Sequence, residues 1–169
     1  FVVNGFDGAL TMLGIIMGFY VNLEATVQVA LSACFGAAVA LAISGITSAY
    51  ISESAERQKD LKELENAMAR NLEESAHGKV AKIAPIIIAI VNGMSPFVIA
   101  VLIMSPLWLS SQTAFALPAF ESAIVLAFVV LFFLGVFLGK VSGKFWLWSG
   151  VRTLLIAIAT AAIVFFVNL

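Results

Sequence analysis

Long apolar runs separated by short polar links divide the chain into five segments, at residues 1–20, 25–50, 80–104, 118–138 and 145–167. A membrane-spanning helix needs about 20 apolar residues, because a rise of about 1.5 Å per residue must cover roughly 30 Å of hydrocarbon. All five runs meet that length. None shows the alternating apolar–polar period of a barrel strand, and backbone groups in lipid must be satisfied within the segment, so the pattern predicts five helices. The expected fold class is an all-α integral membrane protein: one transmembrane domain over 1–169, with the second helix extended into the cytoplasm.

The link between the second and third spans has a different pattern. "SAYISESAERQKDLKELENAMARNLEESAHG" has no Pro and reaches its first Gly only at Gly78, so helical composition continues past the membrane. Residues 52–79 are read as a cytoplasmic charged helical insert, turning near Asn71. On a helix, Glu53, Glu56, Asp60 and Glu63 share one face at spacings of three and four. Leu61, Leu64, Met68 and Leu72 form a second, apolar stripe. The acidic stripe has two readings: a solvated face laced with Lys and Arg, or a patch of hard oxygen ligands gathering divalent cations at a pore mouth. His77 alone reads as a loop residue rather than a ligand.

Composition strengthens the membrane reading. The chain of 169 residues is 62% apolar and 11% charged, with a mean hydropathy of +1.09; soluble domains are roughly half apolar and about a quarter charged. The placement of charge says more than its net value of -1. Arg57, Lys59, Lys62, Arg70, Lys79 and Lys82 lie between the second and third spans; Lys140, Lys144 and Arg152 lie at the junction of the fourth and fifth. The other two links hold no basic residue. That asymmetry predicts a cytoplasmic N-terminus and an external C-terminus. The simplest location is a prokaryotic plasma membrane. The first segment has no basic stretch before it and is not read as a cleavable signal. Because the chain opens at Phe1 rather than Met, a few native residues are expected upstream. No polybasic block or nucleic-acid module is present, so nucleic acid is not an expected partner. Cys34, the sole cysteine, can form no internal disulfide.

Against this background the stretch "VVNGFDGALTM" stands out, because it places Asp7 in an apolar run. Asp7 could cap a helix that begins there, an ordinary role for Asp. That helix would reach only to about Asn22, roughly 24 Å, which is short for a span. A helix beginning at Phe1 is long enough and carries Asp7 into the membrane. A carboxylate at depth costs at least roughly 2.5 kcal/mol and is usually retained for a pathway or a partner. Asn4, Asp7, Thr11, Gly14 and Gly18 recur at helical spacing as one polar and small-residue stripe. Such a stripe either lines a polar path, with Asn4 and Thr11 beside Asp7, or packs closely on another helix.

Other signals are weaker. Residues 2–18 echo residues 90–106, "VVNGFDGALTMLGIIMG" against "IVNGMSPFVIAVLIMSP", with Asn-Gly in register. Both segments begin on the same side, so a repeat here would be parallel. Asn92, Gly93 and Pro96 are expected to open the backbone of the third span. Trp108, Trp146 and Trp148 near span ends read as interfacial anchors. Glu24 and Glu121 lie near outer span ends, within reach of headgroups or water. No metalloprotease, P-loop, nucleophile-elbow or paired-cysteine motif occurs. One intramembrane Asp and one His are a thin set for lipid-phosphate chemistry, so an enzyme is not expected.

Three stretches resemble the vacuolar iron transporter family. "FDGALTMLGIIMGFY" is similar to the family's first helix, where an Asp-Gly pair opens an apolar run. "ISGITSAYISESAERQKDLKELE" resembles the end of its second helix, and "GKFWLWSGVRTLLIAIATAAIVFFV" its last. The resemblance covers most of the chain in order. It implies a homodimer that moves Fe²⁺ or Mn²⁺ out of the cytoplasm in exchange for protons, along a pathway between first and second helices. By position, Asp7 matches the family's transport aspartate. Glu53, Glu56, Asp60 and Glu63 lie where its metal-collecting glutamates begin. Two positions depart: Gly45 stands where the family often has Met, and the run "ALSACFGAAVALAISG" lacks the acid seen in that helix of well-known members. The insert, roughly 28 residues, is also short for a separate three-helix metal-binding domain.

The combined expectation is a divalent metal transporter working by proton antiport, with no resident cofactor and with the lipid bilayer, metal ions and protons as its partners. The competing expectation is a non-transporting membrane scaffold, with Asp7 joining helices and the cytoplasmic helix binding a partner.

Overall fold

The computed structural model describes residues 2–22, 26–69, 71, 75–109, 118–143 and 145–167. Five helices follow in order: α1 (Val2–Val21), α2 (Val27–Met68), α3 (Ala76–Leu109), α4 (Ala119–Val141) and α5 (Trp146–Val167). All five are long and apolar enough to cross a membrane, and no strand occurs among the described residues. Glu24, Arg70, Leu72 and Lys144 lie outside the described residues.

The helices begin and end for local reasons. Thr26 opens α2 with extended backbone, and its hydroxyl oxygen accepts from the Val29 N–H. α2 then runs for 42 residues without a break, as the Pro-free sequence predicts. It stops at Met68, short of the expected turn near Asn71, because Ala69 enters the left-handed region (φ 48°) and turns its N–H back onto Glu65 O. His77, read as a loop residue, lies instead in the first turn of α3.

α3 differs more instructively. Pro85, Pro96 and Pro106 all lie within one continuous helix, so the expected opening at Asn92, Gly93 and Pro96 does not occur. Proline lacks the N–H that would bond the carbonyl four residues earlier. At two of the three sites a side chain serves that carbonyl. Ser105 Oγ donates to Leu102 O at 2.7 Å, the partner Pro106 cannot reach. Asn4 Nδ2, from α1, donates to Asn92 O at 3.2 Å, the partner Pro96 cannot reach. Re-satisfaction of this kind lets a Pro-bearing helix persist in an apolar setting.

α1 is the central helix and touches each of the other four. Its buried face, Gly5, Gly8, Ala9, Met12, Leu13, Ile16 and Met17, packs with Ala100, Ile103, Ala127 and Leu131 from α3 and α4. Much of the remaining core is Ala, with Ala30, Ala38, Ala123 and Ala157 fully buried. Small core residues and a surface rich in exposed Ile, Val, Leu and Phe are the inverse of a soluble bundle and suit helices associating in lipid. α2 and α3 form the largest pairing, an antiparallel hairpin. The helices approach closely at Gly93, where an added methyl would come within 2.6 Å of Ala42 O, and at Gly45, where one would lie 3.0 Å from Gly93 Cα.

The two echoing segments meet side by side in this bundle. Asn4 bonds Asn92, a separation of 88 residues, and Gly8 packs on Pro96 at the same separation, where an added methyl would come within 2.6 Å of Pro96 O. Residues matched in sequence are thus paired in space, in parallel and in register.

Candidate metal path

Asp7 lies in the second turn of α1, one turn beyond Asn4. It does not cap the helix, which begins at Val2. Its side chain is exposed, and it belongs to neither of the ion pairs found among the described residues, Glu53–Arg57 and Lys59–Glu63. Thr11 donates its hydroxyl to Asp7 O at 2.6 Å, a bond within the helix backbone. Thr11, Gly14 and Gly18 are half-buried, though little packs beyond the two glycines. A methyl on Gly14 would meet nothing within 4 Å, and one on Gly18 would reach only Val164 at 4.0 Å. The strip that carries Asp7 is thus less covered by the other four helices than the buried face of α1. Asn4, half-buried on that strip, ties α1 to α3 through Asn92.

The acidic face of α2 divides in two. Glu53 is held by Arg57 at 2.8 Å and Glu63 lies 3.8 Å from Lys59, each four residues apart. Glu56 and Asp60 are exposed and have no basic partner among the described residues. Asp60 and Arg57 also line a cavity of about 260 Å³ with Leu61, Leu64 and His77, between the end of α2 and the start of α3. Leu61 and Leu64 of the predicted apolar stripe are half-buried there, whereas Met68 is exposed.

These acids do not form one site. Gly45 is level with Gly93 and Asn4 with Asn92, so Asp7 and Glu53 are separated by about ten residues of helical rise, roughly 15 Å. Among the described residues, no three His, Cys, Asp or Glu side chains converge on a point where an ion could sit. Asp7 is a single acid on an open face. A metal there would need ligands from outside one copy of the chain.

Sequence reasoning missed the joint that positions Asp7. Gly8 on Pro96, Asn4 on Asn92, and buried Ser95 beside Gly5 fix the first turns of α1 against the middle of α3. The signal was present in the paired Asn-Gly doublets and in the rule that Pro96 frees the carbonyl of Asn92. Gly45, where the resembling family often carries Met, has a similar explanation: here it lets α2 approach Gly93.

α2 also has an uncovered face. Ala33, Gly36, Ala40, Ser44 and Ser48 are all exposed, and Gly36 has open space beyond its Cα. Gly36, Ala40, Ser44 and Ser48 recur every fourth residue, the spacing that lets helix backbones approach closely in lipid.

An uncharacterized protein of Methanocaldococcus jannaschii is 28% identical over 172 residues, an alignment covering 99% of this chain and 87% of that one. No family model and no solved structure matches the chain.

Proposed function

We propose that the protein carries a divalent cation, Fe²⁺ or Mn²⁺, out of the cytoplasm in exchange for protons, as a homodimer of the vacuolar iron transporter type. The observation that supports this is Asp7: an acid on the uncovered face of an apolar helix, with no basic partner among the described residues. Ionisable groups in such segments mark ion pathways or counter-ions. The distribution of Lys and Arg orients the N-terminus and the α2–α3 hairpin to the cytoplasm. Glu56 and Asp60 would then raise the local cation concentration at the inner mouth. A second copy, seated on the uncovered strips of α1 and α2, would bring the further ligands that Asp7 lacks. Desolvation favours the protonated carboxylate and a bound cation the ionised one, so a single acid can exchange a proton for a metal.

The test is flux of Mn²⁺ or Fe²⁺ into proteoliposomes under an imposed pH gradient. Uptake by the wild type should follow the gradient and fall to the liposome background in Asp7→Asn. Folded protein that moves neither ion would leave the scaffold reading, in which Asp7 joins helices and the hairpin binds a partner. The paired Glu53–Arg57 and Lys59–Glu63 favour that alternative, because they give the hairpin the character of a solvated helix face. A scaffold should also gain no thermal stability from micromolar metal.

A further inference from the structure

Arg152 poses a separate problem of charge. It lies in the second turn of α5, an apolar helix, and its guanidinium makes no ion pair and no hydrogen bond with any described residue. Arg57, by contrast, has Glu53. Arg152 is exposed near the start of an apolar helix, with no anionic partner among the described residues, so its guanidinium is open to an anion from outside.

The surroundings of Arg152 form a small, mostly apolar crevice that carries a few polar side chains. Gly135 and Gly139 of α4 pack directly on Ser149 and Thr153 of α5; a methyl on Gly139 would come within 2.6 Å of Ser149 Oγ. The close approach leaves a cavity of about 160 Å³ lined by Leu138 and by Gly135, Gly139, Ser142, Ser149, Arg152 and Thr153. Two of its three hydroxyls are already committed as donors: Ser142 to Leu138 O at 2.7 Å, and Thr153 to Leu131 O at 3.0 Å and Gly150 O at 2.9 Å. The Ser149 hydroxyl donates to no described group. Arg152 thus shares the crevice with a free hydroxyl donor, and no carboxylate lines it. Phe145, Trp146 and Trp148 are exposed on the first turn of α5, the kind of aromatic side chains that settle at headgroup level. Lys140, also exposed, adds a second cation at the end of α4.

We propose that this crevice binds a phosphate oxyanion, presented by the headgroup of an acidic phospholipid, with Arg152 as counter-charge and Ser149 Oγ as hydrogen-bond donor. Guanidinium forks match phosphate oxygens in geometry as well as charge. A zwitterionic headgroup brings its own cation, which competes with Arg152, so an acidic lipid is preferred. The site lies between α4 and α5 and does not depend on the transport reading.

Native mass spectrometry and thermal stability of the detergent-purified protein would test it, with phosphatidylglycerol, phosphatidylcholine and inorganic phosphate as probes. Wild type should retain phosphatidylglycerol over phosphatidylcholine. Arg152→Gln should lower that retention about tenfold or more and Ser149→Ala about fivefold, the loss expected for charge-assisted and neutral hydrogen bonds respectively. Lys79→Gln, which removes one charge on the distant α2–α3 hairpin, should leave retention unchanged. Inorganic phosphate at millimolar concentration should not reproduce the stabilisation. If it does so in wild type and not in Arg152→Gln, the lipid assignment is overturned and free phosphate is the ligand. Equal retention by wild type and Arg152→Gln, or an equal loss in Lys79→Gln, would overturn the site itself. Should Arg152→Gln fail to fold, the contrast between Ser149→Ala and Lys79→Gln decides between the same outcomes.

Discussion

Pro96 removes one backbone hydrogen bond from α3, and Asn4 supplies a replacement from another helix. That substitution makes a coupling that can be measured. Asn4→Ala leaves the Asn92 carbonyl without this donor and should cost about 1–2 kcal/mol, the range for interhelical side-chain bonds in membranes. In a Pro96→Ala background, the restored N–H can serve the same carbonyl, so the cost of Asn4→Ala should shrink by about half or more. Thermal unfolding of the four proteins in one detergent would show a non-additive pair. Glycines on the same helix should separate just as cleanly. Gly8→Ala drives a methyl to within 2.6 Å of a backbone oxygen and should destabilise by about 1–3 kcal/mol. Gly14→Ala meets nothing within 4 Å and should leave the unfolding temperature unchanged. The type of residue at each position was legible in the sequence. Which glycine is enclosed depends on where α3 lies relative to α1, and helical spacing on one chain segment carries no such information.

At the scale of elements, α2 and α3 show what an apolar pattern conveys. Five long apolar helices and a long extension of α2 were readable, because run length and the absence of Pro bear directly on helix formation. The continuity of α3 through Pro85, Pro96 and Pro106 was not readable, because it depends partly on a donor from α1. The acidic face of α2 was visible as a pattern, but not its internal neutralisation by Arg57 and Lys59. That neutralisation yields a graded expectation for transport. Glu56→Gln and Asp60→Asn each remove a charge with no basic partner. Each should raise the metal concentration giving half-maximal flux by about two- to fivefold, without altering maximal flux. Glu63→Gln should do less, because Lys59 already offsets its charge. All three effects should fade as ionic strength rises through a Debye length of about 10 Å. Concentration-dependent Mn²⁺ uptake at low and high salt would check them.

At the scale of the whole molecule, the two faces left open by five-helix packing determine whether a single copy can function. The strip with Asp7, Gly14 and Gly18 and the ridge with Gly36, Ala40, Ser44 and Ser48 are little covered in one chain. Lipid tails can cover a small-residue ridge, but they would offer no further ligand to a metal held by Asp7. In the proposed dimer a second copy would meet both needs, since close helix approach brings polar groups of two chains together. The ridge gives a direct way to test this without touching Asp7. Gly36→Leu and Ala40→Leu add bulk at positions exposed in one copy, and Gly36 has nothing within 4 Å of the added carbon. Neither should disturb the fold of the single chain, so unfolding temperature measured on the monomer fraction should hold. Both should shift the protein from dimer to monomer in light scattering of the detergent complex, and metal flux should fall with the dimer fraction. A variant that remains dimeric, or a monomer that transports at the wild-type rate, would remove the second copy from the mechanism. Asp7 would then have to draw its remaining ligands from water held in the open strip of α1.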